Sequence, residues 1–240
     1  MQVYLNKIDG IPDAIASMYF SKRSWTLEKD KEIRSLCECV LDNRGFLNPD
    51  ADPKEIEKFM KDFGVLLKWG KKHITLLKYI DLSFTVEGLH RAGQDDWDAH
   101  AERMHNRIIR SSTRLAKFGN EMSDWYKDKI ISTDMALKAL GIDLPDAITI
   151  DGQTYTRAIN GYVKEQYKDN KDVLRGLYML SIPSNFIYRV DLADFAHIYK
   201  MRGNHGGANP EVKIVAENSC DLLEKAQPQI TRELLMEVEI

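Results

Sequence analysis

The sequence predicts an α+β fold, mostly helical, with a small antiparallel sheet and a single domain over residues 1–240. Three observations carry this. Glycine (14) and proline (7) are sparse among 240 residues, which leaves little room for long irregular segments. Apolar residues recur at spacings of three and four through most of the chain. Alternation of apolar and polar residues is confined to a few short runs.

From the N-terminus, Pro12 to Ser21 reads as a helix. Leu27 to Leu41 reads as another, capped by Thr26, with Ile33, Leu36, Cys37 and Val40 on one face. Asn48-Pro49-Asp50 forms a turn before the helix Pro53 to Trp69, whose stripe of Ile56, Phe59, Met60, Phe63, Leu66 and Leu67 stops at Gly70. The period then changes: Ile80, Leu82, Phe84 and Val86 alternate with Asp81, Ser83, Thr85 and Glu87, as on a half-buried strand. Helical spacing returns over 95–118. Ser132-Thr133-Asp134 caps a short helix ending at Gly141, and Asp151-Gly152 centres a hairpin within 147–156. Tyr167 to Met179 reads as helix, Ser184 to Val190 as strand and Asp191 to Met201 as helix. A last helix, Pro210 to Gln227, is opened by Asn209-Pro210.

Composition narrows the function classes. Hydrophobic residues (43%) suffice for a core, charged residues make up 30%, and no apolar run approaches the ~18 residues of a membrane span. The opening residues lack the basic and apolar regions of a secretory leader. Cys37, Cys39 and Cys220 form an odd set without metal-ligand spacing, so the expectation is a cytoplasmic protein free of disulfides and membranes. A net charge of −3 argues against a general polyanion binder, and the basic stretch Arg103 to Arg114 lacks the interleaved aromatics of a single-strand platform. No G-x-S-x-G, Walker loop or G-x-G-x-x-G occurs. His205-Gly206-Gly207 lacks a serine elbow and reads as a connection. His100 and His105, five apart, do not share a helical face, so no metal site is expected.

The remaining signal is a set of arginines. Arg107, Arg110 and Arg114 recur at three and four residues on the helix expected over 95–118, a spacing that turns guanidinium groups to one side and suits a bidentate phosphate clamp. The same pattern serves a solvated face paired with acidic residues. Arg175 lies among apolar residues, and Arg202 ends an amphipathic helix carrying Phe195, Ile198 and Met201, so both are placed to emerge at an interface.

The order and spacing of several blocks resemble the flavin-dependent thymidylate synthases. Residues 190–202 (VDLADFAHIYKMR) are similar to that family's N-x-R-x-x-x-[HN]-F-x-x-x-R helix, with His197 five residues before Arg202, and Ala208 to Lys213 follow in place of A-x-x-E-I-R. Arg175 stands sixteen residues before Asp191, where the family has an arginine. His73 to Tyr79, leading into the alternating strand, resembles G-H-x-[ST]-x-x-E-H followed by F-x-F-x-I. The signature R-H-R-x-x-S falls at His105-Asn106-Arg107, and Ser112-Thr113-Arg114 stands for the later S-x-R-Y. The signature is degenerate: Arg107 alone is kept cleanly, Asp191 and Ala193 replace asparagine and arginine, and Lys78-Tyr79 replace Glu-His.

The resemblance implies a divergent member of that family: an enzyme methylating deoxyuridine monophosphate at C5 to thymidylate. It further implies FAD, NADPH and methylenetetrahydrofolate as cofactors and a homotetramer with flavin at subunit interfaces. By resemblance, Arg107, Arg175 and Arg202 hold the nucleotide, with Arg202 the catalytic residue. Ser112 and Arg114 take the phosphate, and His73, Thr75, His105, Asn106 and His197 contact the flavin. A related C5 modification such as hydroxymethylation, a cytidine in place of a uridine nucleotide, and a non-catalytic nucleotide-binding relative are the alternatives.

Overall fold

A computed structural model of the chain describes residues 1–99, 107–112, 122–203 and 209–235, the side chain of Arg175 excepted. The chain divides into two compact units. One comprises Met1, Glu87–Gln94 and Arg110–Asn185; the other comprises Gln2–Val86, Asp95–Ile109 and Phe186–Ile240.

A four-stranded sheet is built from β1 (Gln2–Asp9), β2 (Asp81–His90), β3 (Arg107–Arg110) and β7 (Pro183–Asp191), in the order β1-β2-β7-β3. β2 forms as its alternation predicts: Leu82, Phe84 and Val86 are fully buried while the residues between them face outward. Helices α1 (Ile11–Ser21), α2 (Leu27–Val40), α3 (Pro53–Gly70), α7 (Leu192–Arg202) and α8 (Pro210–Ala226) supply the rest of the core. α7 lies on the sheet through Phe195, whose ring stacks on Phe84 at 5.5 Å, and Phe84 stacks in turn on Tyr188 of β7 at 5.0 Å. α8 packs on β1 and α7, and α3 on α1 and α2.

The helix starts follow the capping residues. Thr26 accepts from the Lys29 amide at 3.1 Å, Asp52 from Lys54 at 2.9 Å, Asp191 from Asp194 at 2.9 Å and Asn209 from Glu211 at 3.0 Å. Gly10, at φ +84, sits where a Cβ would lie 1.9 Å from the carbonyl oxygen of Tyr79, so only glycine lets α1 begin against the 3-10 turn Ile74–Tyr79.

In the other unit, β4 (Ala147–Ile150), β5 (Gln153–Ala158) and β6 (Gly161–Lys164) form an antiparallel ribbon. Ile150 pairs with Gln153 around Asp151 and Gly152, both at positive φ, which is the two-residue turn this dipeptide favours. β6 extends the expected hairpin by one strand. α5 (Thr133–Ala139) starts at Ser132, which accepts from Met135 at 3.2 Å.

Two expectations are corrected, and one strand was not foreseen. The single helix expected over 95–118 is not continuous among the described residues of that span. α4 spans Arg91–Asp98, directly after β2, and Arg107–Arg110 is β3, two β-branched isoleucines between arginines at the edge of the sheet next to β7. On a strand, residues three apart point to opposite faces, so Arg107 and Arg110 cannot form the common cluster that helical spacing suggested. The helix over 167–179 is broken into the 3-10 turn Glu165–Tyr167, the single turn α6 (Lys171–Leu174) and the 3-10 turn Arg175–Leu177. Asn170 explains the break, its side chain accepting from the amides of Asp172 and Val173 and restarting the chain as a cap. β1 was not signalled, because it buries Leu5 and Ile8, three apart, and so lacks a clean period of two. No described helix is long and apolar enough to cross a membrane.

Candidate active site

Among the described residues that the sequence predicts for the site, Arg202 is the best held. It is the last residue of α7, its side chain is 12% exposed, and its Nη2 donates to Asp96 Oδ1 at 2.6 Å and to the Asp96 carbonyl at 3.0 Å. Asp96 lies on α4, so the guanidinium also caps a carbonyl near the C-terminal end of that helix, where positive charge is favoured. Trp97, beside Asp96, is fully buried and meets Tyr188 edge-on at 5.3 Å, which fixes this part of α4 against β7. Arg202 Nε is buried and has no acceptor among the described residues.

Arg107 has a different setting. It bonds Asp81 Oδ1 at 2.7 Å, with its own side chain 56% exposed. Arg189 reaches the other oxygen of Asp81 at 3.1 Å and Asp9 at 3.1 Å, and Lys7 pairs with Asp9 at 2.5 Å. These five residues, drawn from all four strands, form a ladder of alternating charge across the outer face of the sheet. Leu192, opening α7, donates to Ile80 next to Asp81 at 2.8 Å, while Arg202 lies at the other end of α7, ~15 Å along a helix of this length. Arg107 and Arg202 are therefore brought to opposite ends of one helix, not to a single clamp.

His73, Thr75 and His197 are all exposed. His73 precedes the 3-10 turn holding Thr75, and α7, carrying His197, packs on that turn. The His73 ring lies 5.4 Å from that of Trp69, and Lys22 Nζ sits 4.4 Å above the same indole. An aromatic surface, two imidazoles, a hydroxyl and a cation suit a flavin, whose ring stacks and whose pyrophosphate is anionic.

His105, Asn106 and Arg114 lie outside the described residues, as do Arg103 and His205-Gly206-Gly207. Ser112 is exposed just beyond β3, and Arg175 opens a 3-10 turn. Arg110 donates to the carbonyl of Gln94 at 3.5 Å, a marginal bond. The residues that sequence reasoning missed are the carboxylates holding the arginines: Asp96, Asp81 and Asp9. Their only local trace is Asp95-Asp96 beside a tryptophan and an acid opening a strand.

A separate cleft of about 550 Å³ lies between the end of β1, the start of α1 and α2, with Asp9, Asp13, Arg34 and Glu38 among its walls. It contains none of the predicted site residues. No group of three or more metal-ligating side chains occurs among the described residues. The three cysteines are free. Burial pushes the Cys37 thiol up to about 12 and raises that of Cys220, so neither is an activated nucleophile.

No protein-family model matches the chain, and no curated protein matches it in sequence. In structure it is similar to the flavin-dependent thymidylate synthase of Helicobacter pylori complexed with FAD and dUMP, at 12% identity and a TM-score of 0.53 over 98% of this chain and 100% of that one. A second structure of that enzyme with FAD and dUMP gives 12% identity and a TM-score of 0.54 over 99% and 100%. The UMP/dUMP methylase PolB from Streptomyces cacaoi, bound with 5-Br dUMP, gives 10% identity and 0.55 over 97% and 93%. The fold of this chain is that of the flavin-dependent thymidylate synthases.

Proposed function

We propose that this protein is a flavin-dependent enzyme that methylates deoxyuridine monophosphate at C5 to give thymidylate, with methylenetetrahydrofolate as carbon donor and NADPH as reductant. The observation that carries the reading is the end-to-end likeness to enzymes solved with dUMP or its 5-bromo derivative, two of those structures also holding FAD. Arg202, whose Nε has no acceptor among the described residues, supports the nucleotide site, and the aromatic and basic surface around His73 supports the flavin.

In this reading His73, Thr75 and His197, with His105 and Asn106, hold FAD, which supplies hydride chemistry when bound. Arg202, Arg107 and Arg175 hold the nucleotide, and Ser112 and Arg114 take its phosphate. Fixing the ring so that C5 meets the carbon donor is a matter of orientation, and a largely buried arginine locked by a carboxylate keeps its geometry with little reorganisation. Because Arg107 and Arg202 stand at opposite ends of α7, a pocket using both is completed by a second copy, in keeping with a homotetramer. The free thiols suit a cytoplasmic setting.

The test is direct. The purified protein is titrated with FAD and its flavin fluorescence followed. It is then supplied with dUMP, NADPH and methylenetetrahydrofolate, and thymidylate is measured by chromatography. Saturable quenching and thymidylate formation dependent on all three are expected. A protein that binds dUMP but never FAD would overturn the flavin enzyme in favour of a nucleotide-binding relative.

A further inference from the structure

We infer that Asp96 is a specificity-determining residue of the nucleotide site: its carboxylate and the Arg202 guanidinium form one acceptor–donor pair that reads the N3–H and adjoining carbonyl of the uracil ring, leaving the phosphate to other residues. The inference rests on the dUMP reading above and extends it to a residue and a base edge.

Charge is the first argument. Asp96 Oδ1 stands 2.6 Å from Arg202 Nη2, so the pair is close to neutral, and a phosphate brought to this arginine would meet a carboxylate already on it. In a partly buried setting that repulsion is poorly screened. The pair therefore disfavours a dianion and favours an uncharged polar group.

Valence and position are the second. Both contacts to Asp96 use Nη2, so among the described residues Nη1 and Nε are not consumed, and Nε is buried without an acceptor there. The carboxylate gives Arg202 only Oδ1, which among the described residues leaves Oδ2 as an acceptor on a side chain 36% exposed and hence reachable. A donor beside an acceptor is the complement of an amide edge, and uracil presents one: N3–H flanked by carbonyls. The pair is also rigid. Asp96 is fixed by its neighbour Trp97 in the core, and Arg202 is fixed by its second bond, to the α4 backbone. A site built to hydrogen-bond a ring N–H rejects the analogue lacking it, because the acceptor is then left unpaired.

Calorimetry tests this with dUMP, N3-methyl-dUMP and inorganic phosphate as ligands. The wild type is expected to bind N3-methyl-dUMP at least about tenfold more weakly than dUMP. In Asp96→Asn, which keeps the shape but turns an amide donor toward N3–H, that ratio should collapse toward one through loss of dUMP affinity, with phosphate binding unchanged. Equal binding of dUMP and N3-methyl-dUMP by the wild type overturns the inference and leaves the dUMP reading standing. So does an Asp96→Asn variant that binds dUMP and phosphate more tightly together, since Asp96 would then only mask a cation. A wild type that binds neither nucleotide overturns both. Should Asp96→Asn not fold, the wild-type ratio decides alone.

Discussion

Replacing Arg202 with alanine tests whether this arginine is held by the fold or merely rests on it. The side chain is 12% exposed and its partner Asp96 36% exposed, with bonds of 2.6 Å to the carboxylate and 3.0 Å to the carbonyl. A charge-assisted bond of this kind contributes ~1.5–3 kcal/mol. Loss of the cation near the C-terminal end of α4 adds ~0.3–1 kcal/mol. Against this, Nε is a buried donor without an acceptor among the described residues, whose removal returns ~1 kcal/mol, and water can re-solvate part of Asp96. The net expected loss is about 2 kcal/mol. Arg34 provides the control: it makes bonds of similar length to Asp13 and Asp30 but is 48% exposed, so Arg34→Ala should cost less than about 1 kcal/mol. Urea denaturation followed by circular dichroism measures both. With a slope of ~1–3 kcal/mol per molar, Arg202→Ala should lower the midpoint by about 0.7–2 M. A midpoint shift no larger than that of Arg34→Ala would refute the reasoning.

Other perturbations follow from the same structure. Gly10→Ala places a methyl 1.9 Å from the Tyr79 carbonyl oxygen at a positive φ, so a loss above about 3 kcal/mol in denaturant is expected; a near-neutral variant would contradict the close approach. Tyr188→Phe removes a hydroxyl that reaches Ser219 only at 3.5 Å, while Ser219 keeps its 2.7 Å bond to the Val215 carbonyl. The change should stay within about 1 kcal/mol, whereas Tyr188→Ala, emptying a fully buried ring site, should cost ~3–5 kcal/mol by the same assay. Exposed Cys39 should react with a thiol reagent in the native protein and buried Cys37 only on unfolding, as mass spectrometry after labelling would show. Burial pushes Cys37 from its ordinary value near 9 up to about 12, and pushes Tyr199 and Tyr19 to about 12, with Asp62 adding to the effect on Tyr19. The fold thus holds protons that the unfolded chain releases. Stability from these groups is intact below about pH 9 and is lost as pH climbs toward 12, which denaturation at a series of alkaline values would register.

Legibility in the sequence tracked how local each signal is. α2, α3, α7 and α8 could be read because a cap and an apolar stripe lie within one segment, as with Asp191 before Phe195 and Ile198. β3 could not. Its four residues carry arginines at a spacing that also fits a helix, and the sheet edge beside β7 decides the outcome. For the site, the helix bearing His197 and Arg202 was readable as a block, whereas Asp96 and Asp81 were not. Aspartates are ordinary in surface loops, and only the fold brings Asp96 to a residue more than a hundred positions away. The ladder through Arg189 was hidden for the same reason, since its contact with Asp9 spans 180 residues.

That span bears on how the protein is made. β1 enters the sheet beside β2, yet its covering helix α8 begins at Pro210 and its charge partner Arg189 lies on β7. At ~5–20 residues per second, the first strand waits on the order of 10–40 s after synthesis before the segment that shields it leaves the ribosome. Until then the part of β1 that α8 covers has no roof. A nascent chain arrested before residue 210 should therefore be captured by chaperones, and release should come abruptly, with the sheet closing late and all together.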